Sequence, residues 1–93
     1  MFKRKKKVAK LSVDGKQFSE TALHRDIMRE GRVLARHTGA MEIIADKVCR
    51  EVSKWVRERG AVTRADLDRV TAARLRKYDA DLSYLYRNRG KIL

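Results

Sequence analysis

Apolar residues recur along the chain with two periods. Over Val8–Val13 they alternate: Ala9, Leu11 and Val13 face one way, Lys10 and Ser12 the other. That period of two predicts a half-buried strand. Asp14-Gly15 follows, a two-residue hairpin signal, and Lys16–Phe18 reads as a short return strand. A lone hairpin is marginal in water, so this one is expected to pack on helices.

From there the period changes to that of a helix. Ser19 is a cap residue, Glu20 complements the helix dipole, and Phe18 with Leu23 forms a hydrophobic staple pattern. Leu23, Ile27 and Met28 supply a stripe. Gly31 reads as a weak point or C-cap, with the helix resuming through Val33–Ala35, and His37-Thr38-Gly39 as a connection. Met41–Arg59 is the longest predicted helix, with Ile44, Val48, Val52 and Trp55 on its inner face and Gly60 as its C-cap. In Val62–Arg89 the local signals agree best. Thr63 caps a third helix, Val62 and Leu67 form a second staple, and Leu67, Val70 and Leu75 share a face beside Ala72 and Ala73. Asp79 caps a further turn carrying Tyr78, Leu82, Leu85 and Tyr86. The expected architecture is mainly α: a small N-terminal β-hairpin capping a bundle of about four helices. Ile44, Val48, Val52, Trp55, Leu67, Leu75, Leu82 and Leu85 are the expected core. Residues 1–7 are expected to form a basic flexible tail and residues 8–93 one domain.

Composition sharpens this. The 93 residues contain 24 Lys and Arg against 12 Asp and Glu, a formal net charge of +12. Such a surface attracts polyanions. Cys49 is the only cysteine, which excludes an intramolecular disulfide and a cysteine-cluster metal site. No apolar run approaches the ~20 residues of a membrane span, and the basic start lacks the apolar segment of a signal peptide. A cytoplasmic protein is the expectation.

Chemistry is sparse. His24 and His37 lack a neighbouring carboxylate cluster, the aspartates lie among arginines, and the glycines form neither a phosphate loop nor a dinucleotide fingerprint. A binding role, not an enzyme, and no metal site are expected.

The order of parts resembles the ATP-cone, the nucleotide-sensing regulatory domain of ribonucleotide reductases and of their transcriptional repressor. The resemblance covers Val8–Arg89. Asp14 and Gly15 match the family's K-R-D-G turn and Phe18 its F-D. Leu67, Thr71 and Leu75 fall on its I-x-x-x-V-x-x-x-L helix, and Ala80, Tyr86 and Arg87 on its closing A-x-x-Y-x-x-Y-R. The resemblance implies a stand-alone regulatory module that binds ATP or dATP as a ligand, without a resident cofactor, and that regulates a protein partner. Ser12, Val13 and Ala22 stand where the family has basic residues. Lys10, Lys16, His24 and Arg25 are therefore the candidate phosphate ligands, grouped near a helix start.

The alternative is a nucleic-acid-binding protein. Met41–Arg59, the Gly60 turn and Thr63–Lys77 then form a helix-turn-helix, with Arg64, Arg69, Arg74, Arg76 and Lys77 on the backbone. Lys3, Arg4, Lys5, Lys6 and Lys7 would be a basic arm. Asp66 and Asp68, near the turn, oppose this reading by repelling phosphates. Membrane-surface binding through the basic tail is a third, weaker class.

Overall fold

A computed structural model of the chain describes residues 12–89. It is mainly helical, with four helices and a small three-stranded sheet. The order is β1 (Ser12–Val13), β2 (Lys16–Gln17), α1 (Glu20–Val33), α2 (Thr38–Arg59), β3 (Ala61–Val62), α3 (Arg64–Arg76) and α4 (Ala80–Arg87). Lys3 to Lys7, Lys10 and most of the Val8–Val13 strand lie outside the described residues.

The hairpin forms where Asp-Gly predicts it. Asp14 and Gly15 both have positive φ, 53° and 82°, as a type I′ turn requires. β1 pairs antiparallel with β2, Val13 opposite Lys16. It also pairs in parallel with β3, Val13 opposite Val62. That third strand was not expected: two residues carry no periodicity, and their partner lies far away in sequence. Val13 and Val62 are buried where the sheet meets the bundle.

All three predicted caps close. Ser19 Oγ accepts from the Ala22 N–H at 3.1 Å, Thr63 Oγ1 from the Asp66 N–H at 3.0 Å, and Asp79 Oδ1 from the Leu82 N–H at 3.2 Å. Each such cap is worth about 1 kcal/mol. Gly60 C-caps α2 as expected, but the boundaries around Gly31 and Gly39 move. α1 runs through Gly31 without a break, because this residue is a contact point: a Cβ here would lie 2.7–2.8 Å from three side-chain atoms of Met41. Gly31 lets α1 and α2 approach over the buried Met41. The left-handed residue that ends α1 is Ala35, at φ 57°. The Ala35 N–H donates to the Arg32 carbonyl and the Arg36 N–H to the Gly31 carbonyl, the bonding pattern of a Schellman motif. α2 begins at Thr38, not Met41, so the expected connection through Gly39 is its first turn.

The core comprises Leu23 and Ile27 of α1, Met41, Ala45, Val48, Cys49, Val52 and Val56 of α2, Leu67 and Leu75 of α3, and Leu82 and Tyr86 of α4. Ile44, Trp55 and Leu85, expected inside, are half-buried. The inner face of α2 is centred on Val48 and Val52, so Ile44 and Trp55 fall at its edge. Tyr86 occupies the place sought for Leu85 and is fully buried. α4 is tied to α3 by the Ser83 hydroxyl, which donates to the Ala72 carbonyl at 2.7 Å in the interior. The Arg36 guanidinium reaches across from the α1–α2 loop to Asp79 at 2.7 and 3.2 Å.

Candidate functional site

The hairpin turn is clamped to the start of α3. The Asp14 N–H donates to the Val62 carbonyl at 3.0 Å, and Asp14 Oδ1 accepts from the Arg64 N–H at 3.1 Å. The start of α1 follows directly from β2. The N-terminal ends of α1 and α3 therefore flank the same turn. Helix starts carry N–H groups without intrahelical partners and a partial positive charge.

Between them lies a cavity of about 480 Å³. Val13, Leu23 and Leu67 contribute apolar core surface, with the half-buried Phe18 beside them. Lys16, Arg25 and Arg64 supply cations, and Asp14 and Asp26 supply acids. The acids are engaged: Asp14 holds the α3 backbone, and Asp26 lies 3.4 Å from Arg29. Arg64 Nε is 3.7 Å from Asp68, which Arg89 approaches more closely at 2.9 Å. Lys16 and Arg25 have no carboxylate within 4 Å among the described residues.

Of the four candidate phosphate ligands, Lys16 and Arg25 thus come together. His24 does not join them. It turns from Arg25 by about 100° around α1 and faces α2, where Nε2 lies 3.0 Å from Asp46 Oδ1. It borders a second cavity with Glu20, Asp46, Cys49 and Arg50. Lys10 lies outside the described residues. Arg64, assigned from sequence to a nucleic-acid surface, lines the first cavity instead. No local signal could have found it, because its link to Asp14 spans 50 residues.

Of the other nucleic-acid candidates at α3, Arg69 and Arg74 are paired with acids, whereas Arg76 and Lys77 are exposed with no carboxylate within 4 Å among the described residues. Arg69 Nη2 lies 3.3 Å from Asp66 and Arg74 Nη1 3.7 Å from Glu51. Two buried groups stay protonated at neutral pH. Burial, reinforced by Glu20 and Asp46, pushes the Cys49 thiol up to about 12. Burial likewise pushes the Tyr86 phenol up to about 12, with Arg89 stacked 4.0 Å from its ring centre. Among the described residues no group of three or more His, Cys, Asp or Glu is gathered to hold a metal, and no helix is long and apolar enough to cross a membrane.

No protein-family model, no curated protein and no solved structure matches this chain.

Proposed function

We propose that the chain is a small regulatory binding module whose ligand is a phosphate-bearing nucleotide held at the hairpin–α1–α3 junction. One observation carries this reading: Lys16 and Arg25, free of carboxylate partners among the described residues, border a cavity with apolar walls. A nucleotide needs those two halves. Its base is accommodated by apolar surface, here Val13, Leu23, Leu67 and Phe18, and its phosphates by cations and helix starts. The volume lies within the usual range of ligand sites, roughly 300–1,000 Å³. The sequence resemblance to the ATP-cone makes ATP and dATP the first ligands to try. Ala22, neutral where that family is basic, lines the same cavity, and Arg25 one turn on supplies the charge in its stead.

The role is binding, not catalysis. The cavity holds cations and engaged acids, and the buried thiol and phenol are held in their unreactive protonated forms.

The test is calorimetric titration of the full chain with ATP, dATP and inorganic triphosphate, alongside a Lys16→Gln, Arg25→Gln double variant. Each charge-assisted hydrogen bond contributes about 1.5–3 kcal/mol, so the variant should lose about a hundredfold in affinity or more. At a hundredfold excess over its dissociation constant, the ligand should also raise stability by about 2.7 kcal/mol. No binding to the wild type, or equal binding to the variant, would overturn the proposal.

A further inference from the structure

Two of the four acids of α2 meet neighbouring elements: Asp46 meets His24 at 3.0 Å, and Glu51 accepts from the Tyr78 hydroxyl at 3.0 Å with Arg74 3.7 Å away. Arg59 lies over the Trp55 ring at 5.2 Å, and the other cations of α2, Lys47, Arg50, Lys54 and Arg57, form an exposed row, with the Lys47 ammonium 6.0 Å from the Tyr78 ring centre. The four are spaced i, i+3, i+7 and i+10, which confines them to an arc of about 80° and a row about 15 Å long. All four are exposed. None has a carboxylate within 4 Å among the described residues. Lys47, Arg50 and Lys54, with Glu51 between them, border a shallow recess of about 240 Å³. Three acids flank the row: Asp46, a turn before Arg50, and Glu51 are engaged by His24, Tyr78 and Arg74, and Glu58, a turn beyond Lys54, has no cation within 4 Å among the described residues.

We propose that this row binds the sugar-phosphate backbone of a nucleic acid, at a surface separate from the nucleotide cavity. Unpaired cations in a rigid row are complementary to a polymer carrying a phosphate about every 3.4 Å along each strand, and 15 Å of row spans about four of them. An acidic protein partner would need apolar anchors to supply affinity, and a membrane surface an apolar face to insert. The row offers only Ile43, at one end. The chain's charge favours the same partner: Lys3, Arg4, Lys5, Lys6, Lys7 and Lys10 carry no acid among them, and the net charge is +12. α2 packs between α1 and α3, so it lies against the backbone without entering a groove. Binding is therefore independent of sequence, and the surface differs from the helix-turn-helix expected on α3.

The experiment measures binding of the full chain to a short labelled duplex as a function of salt. The key variant carries Lys47→Gln, Arg50→Gln, Lys54→Gln and Arg57→Gln. Two controls carry Lys16→Gln with Arg25→Gln, and Arg69→Gln with Arg76→Gln and Lys77→Gln. Each phosphate contact contributes about −0.9 to the slope of log affinity against log salt, so the key variant should flatten the slope by about 3 to 4. Glu58→Gln should tighten binding. The Lys16, Arg25 control should bind duplex as the wild type does, whatever becomes of its nucleotide affinity. The substituted side chains are exposed, and an unchanged melting temperature verifies folding. An unaltered slope in the key variant would overturn the proposal. So would an equal loss in the α3 control, or tighter binding to an acidic peptide or to anionic vesicles than to duplex at matched charge.

Discussion

Helices α2 and α3 are both rich in basic residues, and the fold uses those residues in opposite ways. On α3, Arg64 reaches Asp68, Arg69 reaches Asp66, and Arg74 reaches Glu51 on α2, leaving only Arg76, at its end, without a carboxylate among the described residues. Two of these pairs lie within one helix at a spacing of three or four residues, where side chains meet. On α2, Asp46 and Glu51 are drawn away by His24, Tyr78 and Arg74, Glu58 stays more than 4 Å from Lys54, and Lys47, Arg50, Lys54 and Arg57 are left exposed without a carboxylate partner among the described residues. Two segments of similar composition thus present different fields. A cation already paired offers an incoming phosphate little, because the partner carboxylate must be displaced or repels it. The difference shows that the number of basic residues in a helix does not fix how many of them stay without a carboxylate partner.

The largest effect separating the two helices should come from their apolar faces. Leu75 of α3 is fully buried, so Leu75→Ala should cost roughly 2–5 kcal/mol by chemical denaturation. Lys54→Ala on the outer face of α2 should stay within about 0.5 kcal/mol. A large cost at Lys54 would mean the row helps hold the fold, and the contrast would fail.

A paired arginine should also betray itself through acid. The Arg36 guanidinium holds the Asp79 carboxyl below the usual carboxylate range, helped by the Leu82 N–H and opposed by partial burial. A carboxyl depressed in the folded state stabilises the fold fully above its unfolded value, near about 3.9. That contribution is lost as pH falls through the lower folded value. Asp79→Ala should remove the α4 cap, at about 1 kcal/mol near neutral pH. It should also flatten the decline of melting temperature below about pH 4. An acid slope identical to that of the wild type would mean that this pair contributes nothing to folding. Neutralising the α2 row should leave the same slope unchanged.

The smallest effect is the most discriminating. Arg69→Gln removes an exposed pair within α3, and should change stability by less than about 0.5 kcal/mol. Its effect on duplex binding should be smaller than that of Lys54→Gln measured at the same salt. If the two weaken binding equally, attraction is diffuse, and the difference between the helices has no functional meaning.

Much of this fold was legible because its signals are local. Ser19, Thr63 and Asp79 cap their helices through bonds to residues three positions on, and Asp14-Gly15 makes its turn through its own backbone. Ala35 was not legible: alanine carries no turn signal, and it takes a left-handed conformation because the Schellman bonds around it close there. Gly31 misled for the opposite reason, its absent side chain serving the contact with Met41 and not a helix end. The candidate site was half legible. Lys16 and Arg25 lie close in sequence to the turn and helix start they flank. His24, one residue from Arg25, faces elsewhere, and Arg64 joins from the far side of the chain.

Sequence alone determined the helical class, the hairpin, three caps and most of the core, because period, cap chemistry and turn chemistry act over a few residues. Only the tertiary structure decided the rest. It paired Ala61–Val62 with β1 and so brought the start of α3 to the hairpin turn. It chose Tyr86 over Leu85 for the interior. It also engaged Asp46 and Glu51 of α2 with neighbours and left Lys47, Arg50, Lys54 and Arg57 exposed without carboxylate partners among the described residues. Each of these outcomes depends on which surfaces meet across the bundle, and a charge or a strand of two residues carries no local mark of its distant partner.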